Sequence, residues 1–357
     1  MNLKINDQGL QTIFNGPYWC VDFINLTDDY IEIKGWAVLK EVDFQHIIFS
    51  CNGEPFDQVT FPIHRKDIGK IFWFLPNAKN SGFRCQKKLS KNTNHFSLEL
   101  SMVDSRKGVP FTQNQNYYYV TDSKLNTPEA RLRKKVHGGD CESSFALEGY
   151  SSYVKCKKAL ELKLGKTYDD FERLLDWGCG CGRMTRYFQS NKSLDIYGAD
   201  IDKENINWSS ENLKFASFEK ISLRPPTLLK PSFYDLIIGI SVFTHLKEED
   251  QFKWLEELSR ISPKDGIVLM SVHGDSTACR SGIDDNTYLQ WRKTGFLDLG
   301  VNNDLGESVS ENDYYRNTLH TNEYIFENWA KYFEIIDIIP GFIGNHQDLV
   351  IMKSLRV

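Results

Sequence analysis

The stretch Leu174-Leu-Asp-Trp-Gly-Cys-Gly-Cys-Gly-Arg-Met-Thr-Arg186 decides how this chain folds. Phe171 to Trp177 has the length and apolar character of a buried strand. Three glycines at alternate positions then mark a tight turn, and Arg183 to Gln189 reads as a helix opening behind it. Strand, glycine turn and helix in that order bring backbone close to a ligand and aim helix N–H groups at it. Dinucleotide sites share the layout, but their GxGxxG spacing needs a third glycine for close helix–strand packing. Counted from Gly178, that position is Arg183, which blocks the packing. What stands here is Asp176-x-Gly178-x-Gly180-x-Gly182.

Outward from the loop the pattern alternates. Leu194 to Ala199 reads as a strand, Lys203 to Phe215 as a helix and Phe218 to Leu223 as a short strand. Tyr234 to Ile240 and Gly266 to Val272 are strong strands flanking an amphipathic helix, Glu248 to Ile261. Such alternation implies a doubly wound, largely parallel α/β sheet with helices on both faces. Glu323 to Tyr332 reads as a helix. Phe333 to Ile339 and Asp348 to Lys353 are strands too close for a helical crossover, so a hairpin through Pro340-Gly341 reverses the last strand. Residues 274–320 are polar and interrupt the alternation, as a lid or binding loop does.

The loop resembles the first motif of class I S-adenosylmethionine (SAM) methyltransferases, in which it wraps the methionine part of SAM and the acid before it helps to hold the amino group. Tyr197-Gly-Ala-Asp200-Ile-Asp202 resembles the family's second motif, an acid ending the second strand. Two ribose hydroxyls need a paired acceptor, which a carboxylate supplies. Phe233-Tyr-Asp-Leu-Ile-Ile-Gly-Ile-Ser-Val-Phe-Thr-His245 resembles the fourth strand and the loop closing over SAM. The resemblance spans about residues 140–353 and implies a seven-stranded Rossmann-like sheet with an antiparallel last strand. It places cofactor contacts at Asp176, Gly178, Cys179, Gly180, Gly182, Arg183, Asp200, Ile201 and Ser241, with S-adenosylhomocysteine as the product and no metal. Asn207-Trp208, Asn212, Arg224-Pro-Pro226, Ser271-Val-His-Gly274 and Gln347-Asp348 narrow the resemblance to methyltransferases of bacterial surface-polysaccharide assembly.

The first ~120 residues read as β. Phe96, Leu98, Leu100 and Met102 alternate with polar residues, and Asn52-Gly53 after His46 to Cys51 marks a hairpin. An all-β sandwich over 1–121 is expected, then a linker and helical lead-in over 122–170, then the methyltransferase domain over 171–357. Lys34-Gly-Trp-Ala37, Arg65-Lys-Asp67 and Ser81-Gly-Phe83 are similar to a small β module that accompanies glycan-modifying transferases, although Lys66 departs from the usual proline. Trp36 and Trp73 are read as core or as platforms for sugar rings.

Length and composition bound the rest. The chain has 357 residues, enough for two domains with full cores, and 25% charged residues. Its net charge of −5 disfavours a nucleic-acid partner, and Arg131-Leu-Arg-Lys-Lys135 is read as a solvated basic face. No apolar run reaches the length of a membrane span, and Met1 to Ile13 lacks the pattern of a signal peptide, so a cytoplasmic location is expected. The eight cysteines form no CxxC pair, so no structural zinc is expected; Cys179 and Cys181 read as snug loop residues rather than nucleophiles.

The chemistry expected is methyl transfer from SAM to a polar acceptor, a sugar hydroxyl in a glycan or nucleotide-sugar pathway (EC 2.1.1.-). A neutral hydroxyl needs a base. His273 and His245 fall at the carboxyl ends of strands, where open α/β sheets bind ligands, with Asp275 beside His273 to orient it. His346 and His320 are further candidates, and Asp284, Asp285 and Asp298 read as solvated loop charge rather than metal ligands. The alternatives are a methyltransferase of a small metabolite, lipid or protein, and a non-catalytic SAM- or glycan-binding module. The oligomeric state is not legible.

Overall fold

The structure, a computed structural model, describes residues 18–38, 44–73, 75–90, 93–104, 110–112, 116–121, 125–281, 283–302, 311 and 313–356. Met1 to Ile13 and the boundary expected near residue 122 lie outside the described residues.

The N-terminal part consists of β1 (Tyr18–Leu26), β2 (Tyr30–Val38), β3 (Phe44–Cys51), β4 (Glu54–Pro55), β5 (Gln58–His64), a short helix α1 (Lys66–Ile71), β6 (Asn80–Lys88), β7 (His95–Asp104), β8 (Pro110–Thr112) and β9 (Tyr117–Val120). They form two antiparallel sheets, β1-β2-β6-β5 and β4-β3-β7-β8, with β9 also paired to β7. Alternation explains the core. Ile31, Ile33, Phe83 and Cys85 of one sheet meet Phe49, Phe96, Leu98 and Leu100 of the other around Trp19. Asn52 (φ 54°) and Gly53 (φ 80°) make the expected hairpin turn.

Two helices follow, α2 (Ala130–His137) and the long α3 (Glu142–Leu164), which stops at Gly165 in the left-handed conformation. The second half adds β10 (Arg173–Trp177), β11 (Asp195–Asp200), α4 (Lys203–Asn212), β12 (Ser217–Lys220), β13 (Leu236–Gly239), α5 (Glu248–Ile261) and β14 (Ile267–His273). After them come α6 (Asp275–Arg280), α7 (Asp285–Thr294), β15 (Phe296–Val301), β16 (Arg316–His320), α8 (Asn322–Asn328), β17 (Phe333–Ile343) and β18 (Gln347–Ser354). The main sheet has seven strands in the order β12-β11-β10-β13-β14-β18-β17. The pairs from β12 to β14 are parallel, while β18 runs antiparallel to β14. Side chains alternate across it. Leu174, Ile196, Leu236, Ile238 and Leu269 pack with Cys156, Ala159 and Leu160 of α3. Leu175, Trp177, Ile237, Val268 and Met270 pack with Trp254, Leu255 and Leu258 of α5. One helix on each face is the doubly wound arrangement.

Three sequence expectations need correction. The helix expected from Arg183 is a 3-10 turn, Thr185–Ser190, because Gly182 is still left-handed (φ 71°) and keeps the chain turning. The hairpin does not turn at Pro340-Gly341: β17 runs through them with a register shift, and the turn uses Gly344 (φ 58°) and Asn345 (φ 60°), with His346 N–H donating to Ile343 C=O (3.2 Å). Residues 274–320 are not merely loop, since α6, α7 and the antiparallel pair β15/β16 enclose a small core of Ala278, Trp291 and Leu319.

Candidate active site

A cleft of about 400 Å³ opens at the carboxyl ends of β10, β11 and β13. Asp176, Gly178, Cys179, Gly180, Arg183, Asp200, Ile201 and Ser241 line it, as does His245. Gly182 and His273, also expected at the site, are not among the lining residues. Gly182 is needed for its positive φ, and a Cβ there would lie 2.3 Å from Leu213.

The loop is shaped by β11. The N–H groups of Gly178 and Cys179 donate to Ala199 C=O (2.8 and 3.1 Å), and that of Gly180 donates to Asp200 Oδ2 (2.8 Å). Asp200 Oδ1 accepts from Asp202 N–H (2.7 Å). These donors are therefore occupied, and the loop offers no bundle of free N–H groups to a diphosphate. That is a second physical reason, beside Arg183, against a dinucleotide. Burial pushes the Asp200 carboxyl up to about 6, against the pull of its backbone N–H partners. Burial likewise lifts Asp176 to about 7, although Thr185 Oγ1 donates to its Oδ2 at 2.5 Å. Cys179 and Cys181 are buried, and burial raises their thiols, which works against the reactive thiolate.

Beside the loop, Asp202 caps α4 by accepting from the N–H groups of Glu204 and Asn205 (2.8 and 3.2 Å). Its Oδ2 accepts from Lys135 Nζ (3.0 Å), which also reaches Glu204 (2.6 Å), and Arg131 pairs with the same Glu204 (2.7 Å). Part of the supposedly solvated basic run thus anchors α2 to the cleft wall. Asn205 lines the cleft, and its buried Oδ1 has no hydrogen-bond partner among the described residues. The residues present fit SAM. Asp200 and Asn205 bring oxygen acceptors to the cleft of the kind a ribose and base would need, and Ile201, Ile221 and Leu246 add an apolar wall.

The histidines divide by access. His245 lines the cleft; its Nδ1–H donates to Arg316 C=O (2.8 Å), which leaves the Nε2 lone pair bare among the described residues. Burial lowers its pKa from the usual 6.5. His346 also lines the cleft. It donates from Nδ1 to Gly344 C=O (3.0 Å), receives Gln347 Nε2 at 3.4 Å, and is pushed by burial to about 4. His273 is only 9% exposed and stands between them, with ring centroids 6.3 Å from His245 and 6.0 Å from His346. Burial and the neighbouring histidines hold it well below 6.5. Asp275 pairs with Arg292 (3.2 Å). His320 lies behind the site, bonded through Nε2 to Gln251 Oε1 (2.8 Å).

Ser241 sits at the end of β13 with φ 62°, a strained value for a residue with a Cβ. It is held by Ser271 Oγ, which accepts from its N–H (2.7 Å), and by Gln347. No three His, Cys, Asp or Glu among the described residues are placed to hold a metal ion. Asp284 caps α7 and Asp298 pairs with Arg316. Trp36 is core and Trp73 is 68% exposed. No helix among the described residues is long and apolar enough to cross a membrane.

His137 of α2, Glu148 of α3 and Tyr315 ahead of β16 are among the lining residues that fall outside the sequence motifs. Nothing in the spacing of Phe145, Leu147 and Tyr150 sets Glu148 apart from an ordinary polar helix position.

Residues 150–320 match the family model of a methyltransferase domain. The seven-stranded sheet is the Rossmann-like α/β fold of methyltransferases. No curated protein matches the chain. Among solved structures, a Pyrococcus horikoshii protein is 16% identical, covering 57% of this chain and 90% of its own, with a TM-score of 0.40. A Mesorhizobium loti SAM-dependent methyltransferase is 13% identical over 55% of this chain and 96% of its own (TM-score 0.41). The geranyl diphosphate C-methyltransferase of Streptomyces coelicolor, solved with Mg2+, geranyl-S-thiolodiphosphate and S-adenosylhomocysteine, is 13% identical over 66% of this chain and 86% of its own (TM-score 0.39).

Proposed function

We propose that this protein transfers a methyl group from SAM to a hydroxyl of a polar, sugar-like acceptor in glycan assembly. The observation that carries the reading is a cleft shared by the glycine loop, Asp200 and a histidine, His245, whose Nε2 is bare among the described residues. When bound, SAM supplies a methyl group already activated on a sulfonium. The task left to the chain is positioning and proton removal. Asp200 holds the loop through Gly180 N–H and offers its oxygens to the ribose. His245 accepts the hydroxyl proton at Nε2 as the oxygen gains the methyl group. Its tautomer is fixed by Arg316 C=O. His273 and His346 pack beside it as neutral rings and keep the base region free of positive charge.

The polar wall supports a hydroxylated acceptor. Ser151, Ser152, Gln347 and His346 face the cleft together. The glycan assignment rests on the sequence resemblance, with the N-terminal β region supplying Tyr117 to the same wall. The test is transfer of labelled methyl from SAM into separated polysaccharide, lipid, protein and small-molecule fractions, with Asp200→Ala as control. Label in polysaccharide that disappears in Asp200→Ala is the expected result. Label confined to lipid or protein would overturn the acceptor class. Absence of S-adenosylhomocysteine binding in calorimetry would overturn the cofactor.

A further inference from the structure

The family resemblance gives Asp176 the task of holding the cofactor's amino group. The structure places that carboxyl badly for it. Asp176 is 3% exposed and engaged by Thr185. A second carboxylate, more open than Asp176, also lines the cleft. Glu148 Oε2 accepts from His137 Nδ1 (3.1 Å) and Arg183 Nη1 (3.0 Å), while Oε1 has no partner among the described residues. The side chain keeps 39% of its surface accessible where it lines the cleft. Burial alone would raise its pKa, but His137 and Arg183 bring it down to about 2, so it stays ionised.

The surroundings fix this group. His137 is pinned at its second nitrogen by Ser144 Oγ (2.7 Å). The helix carrying Glu148 touches the loop backbone, since a Cβ on Gly149 would lie 2.2 Å from Arg183 O. Among the described residues Arg183 bonds through Nη1 alone. Its Nε and Nη2 have no hydrogen-bond partner among the described residues. Meanwhile the N–H groups of Gly178, Cys179 and Gly180 are occupied by β11, so the loop cannot supply them to a carboxylate.

We infer that Glu148 and Arg183 together form the receptor for the α-amino-acid end of SAM. Glu148 Oε1 takes the ammonium, and the free edge of the Arg183 guanidinium takes the carboxylate. An α-amino acid carries both charges within two bonds of one carbon. A carboxylate and a guanidinium already joined to each other present the matching pair, and the planar fork of arginine suits a carboxylate. Their mutual ion pair keeps each charge compensated before the ligand arrives. The inference rests on the SAM reading above.

Calorimetry with two ligands tests it. S-adenosylhomocysteine carries the amino-acid end and 5′-methylthioadenosine lacks it. Glu148→Gln and Arg183→Gln should each weaken S-adenosylhomocysteine by about tenfold to a hundredfold. Both should leave 5′-methylthioadenosine within about twofold of the parent, which also shows that the adenosine half remains folded. Equal losses for both ligands, or no loss for S-adenosylhomocysteine, would overturn the assignment. So would unchanged S-adenosylhomocysteine binding with a raised acceptor KM, which would move the pair to the acceptor. A parent protein that binds neither ligand would sink the SAM reading itself, a result distinct from these.

Discussion

His245 shows how much a single side chain owes to a distant carbonyl. Its Nδ1–H is committed to Arg316 C=O, so the neutral ring presents a lone pair at Nε2. His245→Asn keeps a short polar donor near Nδ1 and removes that lone pair. Its kcat should fall by about 10²- to 10⁴-fold. The pH profile gives a second check. Burial lowers the His245 pKa from the usual 6.5, so the midpoint of its protonation lies below that pH. The parent enzyme should therefore lose kcat/KM on an acid limb lying below pH 6.5, and the variant should lack that limb. An unchanged limb in the variant would assign the base elsewhere. The placing of Asp176, Gly178, Gly180 and Asp200 along the cleft was legible because they lie at or just after strand ends. The choice between His245 and His273 was not: one closes the 3-10 turn Phe243–His245 after β13 and the other ends β14, and only the surrounding packing puts His245 and not His273 among the cleft-lining residues. Glu148 was illegible for a related reason, because its partners lie on another helix and in the loop.

At the scale of elements, the pair β15/β16 braces the site. Asp298 of β15 holds Arg316 of β16 through Nε (3.0 and 2.9 Å) and accepts from Gly300 N–H (2.8 Å). Asp298→Ala frees the residue whose carbonyl orients His245. Turnover should drop between about tenfold and a hundredfold while S-adenosylhomocysteine affinity is unchanged, because misplacing a base costs rate rather than cofactor binding. A loss of cofactor affinity of the same size would place the hairpin in the cofactor site instead. The end of β16 carries a stability signature. Burial pushes His320 to about 3, against 6.5 unfolded. Between those values the unfolded chain binds a proton that the folded chain refuses, so this group lowers stability as pH falls from 6.5 towards 3 and contributes nothing above 6.5. His320→Phe loses the bond to Gln251 at every pH but escapes that penalty. Its stability deficit in urea at pH 7.5 should shrink at pH 5 by up to about 2 kcal/mol. A deficit independent of pH would mean that His320 titrates normally. Sequence reading saw the segment 274–320 only as polar loop. Trp291 and Leu319, which make it a unit with its own small core, are far apart in the chain and carry no shared period.

Over the whole molecule, the N-terminal sheets and the methyltransferase fold are built as one body. Leu147 of α3 is part of the N-terminal core, and Ser151 Oγ bonds both the N–H and the C=O of Tyr118 (2.8 and 3.0 Å). Arg280 of α6 inserts among Tyr18, Phe72 and Trp36, its guanidinium carbon 5.4, 4.9 and 5.7 Å from their ring centres. Asn345, in the β17–β18 turn, closes the junction. Its Nδ2 donates to Trp19 C=O (2.9 Å), which also accepts from Tyr117 OH (3.2 Å), and its Oδ1 accepts from buried Lys155 Nζ (3.2 Å). Burial has already lowered that lysine to about 7, so it depends on the partners it has. Asn345→Gly preserves the left-handed backbone and removes only the side chain. It should cost about 2 kcal/mol, because a buried ammonium then keeps little besides the Tyr117 ring 5.4 Å away. The loss should appear as one earlier transition, with tryptophan fluorescence and far-ultraviolet circular dichroism still coinciding. Two separated transitions would show instead that the N-terminal sheets are a tethered module, able to leave the cleft wall to which they contribute Tyr117.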